Sequence, residues 1–261
     1  MTDINAGEAA RKQFDKQAGL YNNRWASWSD ETLQTLLRLA DPRPHWRALD
    51  IATGTGFTAL ALAPQVHEVV GTDVSPGMLE QAARRAKETG VRNVAWREAR
   101  ADAQPFPNGY FDLVTCRIAA HHFPRVAAFL QETVRVLRPG GVFVLGDTTV
   151  PDDNEEAAFW QNTVEKMRDP SHVRNLTPNE WREACEAAGL EVTDSNMLSG
   201  AIPITLSAWL ETAGCEGVTA GAVRHQFADA PTSARHAFHI VAEGEDIKFA
   251  WPRIVLRALC P

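Results

Sequence analysis

Apolar runs of strand length alternate with stretches of helical periodicity through most of the chain. The runs that have the length of buried strands are 47–52, 68–73, 93–98, 111–116, 141–145 and 191–197. Helical patterns lie between them, at 57–62, 76–88, 126–137 and from 178 to Gly189. A last run spans 249–260, and Pro252 near its start suits an edge strand or a bulge. Because parallel strands need crossover connections, the alternation predicts an α/β fold with a seven-stranded, mostly parallel sheet and helices on both faces.

A glycine-containing turn follows the first strand. Gly54 and Gly56 lack side chains, so the backbone can approach a ligand closely there. Asp73 ends the second strand, 17 residues after Gly56, where a carboxylate can accept from the hydroxyls of a ribose. Asp73 can equally cap the Ser75-Pro76 turn that begins the next helix, but together with the glycine turn it favours an adenosine-containing cofactor. Ala59 stands three residues after Gly56, so the spacing also permits a nicotinamide dinucleotide.

Several segments resemble, in order, the motifs of class I S-adenosylmethionine-dependent methyltransferases. They are Leu49–Gly56, Gly71–Ser75, Asp102–Pro107, Phe111–Val114 and Leu137–Gly141. The nearest resemblance is to small-molecule enzymes related to the ubiquinone/menaquinone C-methyltransferases, including members with the Cys-Arg-x-Ala-Ala-His-His-Phe run seen at 116–123. The resemblance is specific over 45–150 and looser over 10–30 and 175–261.

The chain departs from the family pattern at two places. Ala52 stands where many members carry the first glycine of their glycine-rich turn. The fourth strand is followed by Cys116-Arg-Ile-Ala and not by an Asn-Pro-Pro-Tyr type motif. The second departure argues against an enzyme that methylates amino groups of DNA or of protein glutamine.

The resemblance implies a Rossmann-like fold with additions at its ends. We expect N-terminal lid helices over 1–35 and a cofactor-binding core over 36–197. A helical cap insertion is expected over 198–245, where short helical patterns carry aromatic residues and histidines. Residues 246–261 are expected to return to the core as the terminal strand.

The resemblance also implies S-adenosylmethionine as the cofactor and assigns roles by position. The turn at 52–56 would hold the methionine part, Asp73 the ribose and Met78 the adenine face. Asp102 would accept from the adenine amino group, and the Ala103 N–H would donate to the ring. Tyr21, on the lid helix, would face the methionine carboxylate or the sulfonium. The complete set of expected cofactor residues is Tyr21, Asp50, Ala52, Thr53, Gly54, Thr55, Gly56, Asp73, Val74, Met78, Asp102, Ala103 and Arg117.

Two adjacent histidines are the candidate catalytic residues. His121 and His122 follow the fourth strand, at the carboxyl edge of the sheet where such folds bind ligands. An acceptor with an acidic hydroxyl, or a quinol, needs a base with a pKa near neutrality, which histidine provides. On an extended chain adjacent side chains point in opposite directions, so at most one should face the pocket. Alternatively, both histidines are ordinary polar residues with backbone partners. Asp147 and His172 are further candidates for the base.

A flat, apolar acceptor would suit an aromatic lining. The chain holds eight tryptophans, and several fall in segments expected to cover the carboxyl edge of the sheet. We expect most of them to pack in the core. The candidate substrate-binding residues are Trp25, His172 and Trp209.

Charge and cysteine content restrict the class of partner. The net charge is −7, which gives no broad attraction for nucleic acid or for an anionic membrane surface. The four cysteines show neither a zinc-like spacing nor a disulfide framework, so we expect no metal. With no apolar segment of membrane-spanning length, we expect a cytoplasmic protein and a small-molecule methyl acceptor. Both a monomer and an oligomer are compatible with the sequence.

Two alternatives to a methyltransferase remain at this point. A nicotinamide-dependent oxidoreductase would share the glycine turn and Asp73, but it does not explain the segment at Asp102 and Ala103. A catalytically silent protein could keep the adenosyl pocket to bind a ligand or a partner. The intact pair His121 and His122 argues for an enzyme.

Overall fold

The computed structural model describes residues 11–15, 30–198 and 204–261. The strands of its larger sheet are Arg47–Ile51 (β1), Glu68–Asp73 (β2), Val94–Glu98 (β3), Phe111–Arg117 (β4), Leu137–Thr148 (β5), Glu191–Leu198 (β6) and Arg253–Leu259 (β10). These seven strands lie in the order β3-β2-β1-β4-β5-β10-β6. Strands β1 to β5 pair in parallel, whereas β10 is antiparallel to both β5 and β6. The seven-stranded, mostly parallel sheet expected from the sequence is confirmed.

Helices pack on both faces of this sheet. They are Asp30–Ala40 (α1), Phe57–Leu62 (α2), Pro76–Thr89 (α3), Val126–Val136 (α4) and Pro178–Ala187 (α6), whereas Glu155–Arg168 (α5) packs on the helices Gly217–Ala228 and Thr232–Ala237. Adjacent strand residues join different cores, because successive side chains of a strand point to opposite faces. Ala48 packs with Leu36 of α1, whereas Leu49 packs with Phe129 of α4. Residues 30–35, expected to belong to the lid, are instead part of α1, which packs on β5 and β10.

The ends of α3 follow the rules of helix capping. The Ser75 side chain accepts from the Met78 N–H at 3.1 Å, and Pro76 occupies the first turn. Gly90 ends the helix in the left-handed region at φ 73°. This helix therefore begins directly behind Asp73, and its first turn faces the carboxyl edge of the sheet.

Two expectations about the last strand were wrong. Strand β10 lies between β5 and β6, so it is an interior strand and not an edge. Pro252 precedes its first residue, where the missing N–H removes no ladder hydrogen bond, and the register shift lies at Arg257 and Ala258. Residues 246–249 do not continue β10 but form a strand of a second, smaller sheet.

That smaller sheet and three short helices make up residues 204–249, which we refer to as the cap because they overlap the expected insertion at 198–245. Its strands are Ile204–Thr205 (β7), Val241–Glu243 (β8) and Asp246–Phe249 (β9), in the order β7-β9-β8. The cap helices are Leu206–Thr212 (α7), Gly217–Ala228 (α8) and Thr232–Ala237 (α9). Strands of two to four residues are too short for a readable period-two pattern, and the sequence did not reveal them. None of the helices in the described ranges is long and apolar enough to cross a membrane.

Candidate active site

A cleft opens at the carboxyl edge of the larger sheet, beside β1, β2 and β4. It holds about 1200 Å³ of space between its walls, a volume that includes open solvent at its mouth. The expected cofactor residues that line it are Ala52, Thr53, Gly54, Thr55, Asp73, Val74, Met78, Asp102 and Arg117. Separate elements therefore bring these residues together at one cleft, as ligand sites of open α/β sheets require.

The two glycines in the turn after β1 have different roles. A Cβ added at Gly54 would meet no atom within 4 Å and would extend into open space. A Cβ at Gly56 would lie 2.8 Å from the Trp96 ring and 3.0 Å from the Ala82 Cβ. Gly56 lies outside the cleft lining and is needed for packing, whereas Gly54 provides room for a ligand. Ala52 begins the turn in the left-handed region, at φ 54°.

Asp50 supports this turn from below. Its carboxylate accepts from the Thr53 hydroxyl at 2.6 Å and from the Thr115 hydroxyl at 2.7 Å. Burial raises the pKa of Asp50 to about 6, against the lowering effect of these two hydrogen bonds. Because it is buried and outside the cleft lining, Asp50 positions the turn and does not reach the ligand space.

Asp73 connects β2 to the same turn. Its Oδ2 accepts from the Gly54 N–H and its Oδ1 from the Ser75 N–H, each at 2.9 Å. Burial raises the pKa of Asp73 to about 6, and these backbone hydrogen bonds oppose the shift. Val74 contributes a third backbone hydrogen bond, and the two oxygens of a carboxylate offer about four accepting sites, so Asp73, which lines the cleft, can still accept from a ribose hydroxyl. The turn-capping role and the ligand-facing position of Asp73 therefore coexist.

The residues at the adenine position differ in part from expectation. Asp102 lines the cleft, but its carboxylate already accepts from Arg100 at Oδ1 and Oδ2, each at 2.9 Å, and from Arg125 at 2.5 Å. The arginines hold the pKa of Asp102 below its usual range. The Ala103 N–H donates to the Arg100 carbonyl at 3.1 Å, and Ala103 does not line the cleft. In this structure that N–H is therefore not directed at an adenine ring.

An N-terminal helical segment, residues 11–15, lies over the cleft. Phe14 lines it and meets the ring of His122 edge-on, with 4.9 Å between ring centroids. Asp15 accepts from the Ser75 hydroxyl at 2.5 Å and from the Gly77 N–H at 3.3 Å, at the start of α3. Tyr21 and Trp25 lie outside the described residues.

His121 and His122 occupy a 3₁₀ turn, Ala120–His122, and not an extended chain. Their ring centroids are consequently 4.2 Å apart. The expectation that the two side chains point in opposite directions, as on an extended strand, was therefore wrong. His122 lines the cleft, whereas His121 does not. His121 Nδ1 lies 2.7 Å from Asp147 Oδ1, and its backbone N–H donates to Asp147 Oδ2 at 2.9 Å. Burial alone would lower the pKa of His121, but the charge and hydrogen bond of Asp147 raise it overall.

His122 is held by a serine and an aspartate that the sequence did not identify. The Ser171 hydroxyl donates to Asp169 Oδ1 at 2.6 Å and lies 3.1 Å from His122 Nδ1. A serine hydroxyl has one proton, and Ser171 uses it to donate to Asp169. The hydrogen bond between Ser171 and His122 must therefore be donated by Nδ1 of His122, which leaves Nε2 without a hydrogen in the neutral ring. Burial and the nearby His121 lower the pKa of His122 strongly, so this ring is neutral at physiological pH.

The remaining two substrate candidates do not line the cleft. His172 is buried, with Nε2 3.0 Å from the Asn162 side-chain oxygen and its ring centroid 5.6 Å from that of His121. Trp209 packs inside the cap against Phe249, 5.3 Å between centroids, and beneath Arg168. His172 therefore supports the histidine cluster, and Trp209 is a core residue of the cap.

The cleft fits the adenosyl cofactor that the sequence implies. Open space at Gly54, the accepting sites of Asp73 and the apolar wall at Met78 match the backbone approach, ribose and adenine of such a ligand. Among the described residues, no hydrogen-bond acceptor takes the Thr55 N–H, which lies in the same turn at the cleft. Within 11–15, 30–198 and 204–261, no group of three or more His, Cys, Asp or Glu could hold a metal ion.

Comparisons with known proteins agree with this geometry. A family model described as a methyltransferase domain matches residues 49–145. The uncharacterized methyltransferase YcgJ of Bacillus subtilis (strain 168) is 34% identical over 248 residues, which is 94% of this chain and 97% of that protein. The crystal structure of YcgJ superimposes with a TM-score of 0.81 at 33% identity, covering 88% of this chain and 98% of that chain. A demethylmenaquinone methyltransferase of Thermus thermophilus is 46% identical over 101 residues, 38% of this chain and 46% of that protein.

Proposed function

The chain belongs to the class I S-adenosylmethionine-dependent methyltransferases related to the quinone C-methyltransferases, and on this premise we propose that its acceptor is a small phenol or hydroquinone. This membership decides the enzyme class against a nicotinamide-dependent oxidoreductase. The acceptor would be methylated on a ring carbon or on the hydroxyl oxygen. The observation that carries the proposal is His122, a neutral histidine on the cleft wall whose Nε2 carries no hydrogen and can therefore accept one.

The protein has three tasks in such a reaction: to hold the cofactor, align the acceptor and remove a proton. When bound, S-adenosylmethionine supplies an electrophilic methyl group with a good leaving group. The Gly54 turn and Asp73 would hold it by backbone approach and by ribose hydrogen bonds. Phe14, Phe123 and Phe129 line the cleft and would exclude water and contact a flat ring.

Proton removal would fall to His122. The hydroxyl of the acceptor would donate to Nε2, and the proton would pass to that nitrogen as charge develops on the acceptor. Asp169 would then stabilise the resulting imidazolium through Ser171, as the acid of a catalytic triad does. Burial disfavours a charged His122. The negative charge of the phenolate or enolate formed beside the imidazolium would offset this unfavourable free energy.

His121 would have a different role from His122. Asp147 raises the pKa of His121, while burial and the neighbouring His121 lower that of His122. Pairs of titratable groups whose pKa values are moved apart are typical of sites that separate acid and base roles. We assign the base to His122 and the positioning of its ring to the pair of His121 and Asp147.

A methyl-transfer screen tests this assignment directly. Purified protein is incubated with S-adenosylmethionine and panels of hydroquinones, phenols and primary amines, and methylated products are detected by mass spectrometry. We expect products from the hydroxylated rings and none from the amines. His122→Gln is compared with His225→Gln, a control that replaces an exposed histidine paired with Asp229 on the cap. Product from amines alone, or equal activity of both variants, would refute the proposed acceptor class or the proposed base, respectively.

A further inference from the structure

Ile118 has a backbone conformation that β-branched residues rarely adopt. It directly follows β4, and its φ of 51° lies in the left-handed region. That region is unfavourable for an L-residue because Cβ lies too close to the following carbonyl oxygen, and a β-branched residue there is an outlier. The Ile118 N–H donates to the Gly146 carbonyl of β5 at 2.7 Å, which helps to hold this conformation. The surrounding structure therefore imposes a strained backbone on Ile118.

The left-handed turn removes Ile118 from the packing of the sheet. Successive side chains of a strand point to opposite faces, so an extended residue 118 would face the same side as Val114 and Cys116. Those two residues belong to the hydrophobic core that includes Phe129 of α4. Ile118 instead lines the cleft, half-buried, and packs in none of the hydrophobic core clusters that the described residues form. Burial in the core therefore does not offset its strain.

Ile118 lies close to a second left-handed residue. Ala52 directly follows β1, has a φ of 54° and also lines the cleft. Since Ile51 of β1 pairs with Cys116 of β4, the two chains leave the sheet side by side. Ala52 begins the turn that is expected to hold the methionine part of the cofactor, and His122, the proposed base, comes four residues after Ile118. Ile118 is therefore near both the expected reactive end of the cofactor and the base.

We propose that Ile118 is the specificity-determining residue of the acceptor site, because its side chain forms the apolar wall that aligns the acceptor ring with the transferred methyl group. The inference rests on the proposed function and extends it from the class of acceptor to its shape. A β-branched side chain has few rotamers, so Ile118 offers a rigid surface, and an in-line transfer needs such fixed alignment. A substituent beside the reacting position of the ring would collide with this wall, so rings without one are preferred.

The first test measures stability and needs no acceptor. Ile118→Gly removes a strained backbone together with a side chain that lies outside the core, so calorimetry should give a Tm within about 2 °C of the wild type. Ile247→Gly is the control, because Ile247 is a half-buried isoleucine of β9 that packs against the aromatic core of the cap. Its Tm should fall by about 4 °C or more. Equal losses in the two variants would make Ile118 an ordinary packing residue and refute the inference.

The second test measures acceptor preference with hydroquinone and 2,5-dimethylhydroquinone, in which every hydroxyl and every free ring carbon has a methyl neighbour. For Ile118→Ala, kcat/KM with hydroquinone should fall about tenfold or more, and the ratio of kcat/KM for the dimethyl compound to that for hydroquinone should rise about fivefold or more. Ile118→Val should shift the ratio in the same direction by less, and it serves alone if Ile118→Ala does not fold. Ile247→Ala should leave the ratio unchanged.

The affinity for S-adenosylhomocysteine separates the acceptor from the cofactor. Its Kd should stay within about twofold of the wild type in Ile118→Ala, whereas a loss of about tenfold would place the side chain against the cofactor and refute the inference. An unchanged ratio on methylated hydroquinones refutes the role of Ile118 and leaves the proposed function intact. If only amines are methylated, the proposed acceptor class fails, and the ratio for α-methylbenzylamine and benzylamine then decides the role of Ile118 in the same way.

Discussion

The hydroxyl of Ser171 lies 3.1 Å from Nδ1 of His122, across 49 positions of sequence. Since this hydroxyl donates to Asp169, it fixes the neutral His122 ring with its hydrogen on Nδ1. We expect Ser171→Ala to lower turnover at least tenfold, because the ring can then adopt the tautomer that cannot accept a proton. Steady-state kinetics and calorimetry with S-adenosylhomocysteine check this: kcat should fall while cofactor affinity stays within about twofold of the wild type. Unchanged kcat would show that Ser171 does not control the base.

Replacing both histidines gives the largest expected loss of turnover. General-base assistance contributes on the order of 10² to 10⁴ in rate, so His121→Gln combined with His122→Gln should reduce kcat by such a factor. The single His122→Gln variant should account for most of it, since only His122 lines the cleft. Rates across pH 5 to 9 and cofactor titrations are the measurements. Full turnover of the double variant at every pH would place the base elsewhere.

Cofactor affinity should depend on Asp73. S-adenosylhomocysteine is expected to bind with a Kd in the low micromolar range, about −8 kcal/mol. Asp73→Ala should weaken binding tenfold or more, because it removes two charge-assisted contacts to ribose hydroxyls and also releases the Gly54 N–H. Isothermal titration calorimetry measures both constants, and a thermal melt confirms folding. An unchanged Kd would remove Asp73 from the cofactor site.

The stability of the fold should depend on pH through Asp50. Burial raises the pKa of Asp50 from 3.8 to about 6, so the folded protein binds its proton more tightly than the unfolded chain does. By linkage, stability is then lost as pH rises from about 4 to about 6, by an amount on the order of 2–3 kcal/mol. The free energy of unfolding of the wild type relative to Asp50→Asn should therefore fall over this range. Urea unfolding at several pH values measures it, and a difference that is flat from pH 4 to 7 would contradict the raised pKa.

Ala52 should tolerate glycine better than other alanines do. Its φ of 54° lies in the left-handed region, which costs an L-residue about 1–2 kcal/mol, while glycine loses roughly 0.5–1 kcal/mol of chain entropy. Ala52→Gly should leave stability unchanged or raise it by up to about 1 kcal/mol. Ala61→Gly, a matched control within α2, should lose about 1 kcal/mol. Equal losses in the two variants would mean that position 52 carries no backbone strain.

The sequence by itself determined the larger sheet and the cofactor motifs. Strands of the sheet core are buried on both faces and appear as continuous apolar runs, and the helix after Asp73 has local capping signals at Ser75 and Gly90. The glycine turn was readable for the same reason, because a left-handed backbone restricts residue type locally. These features depend on neighbours within a few positions.

Tertiary structure alone decided how these parts are used. Nothing local to position 171 indicates that Ser171 meets His122, and nothing local to Arg125 indicates that it meets Asp102. The interior position of β10 followed from pairing with β5 and β6, which outweighed the expectation drawn from Pro252. Gly56 became a packing residue because Trp96, forty positions later, fills the space beside it. Such contacts form only when whole helices and strands pack together. The free energy of burying them depends on residues that are far apart in sequence, so it cannot be inferred from any one segment.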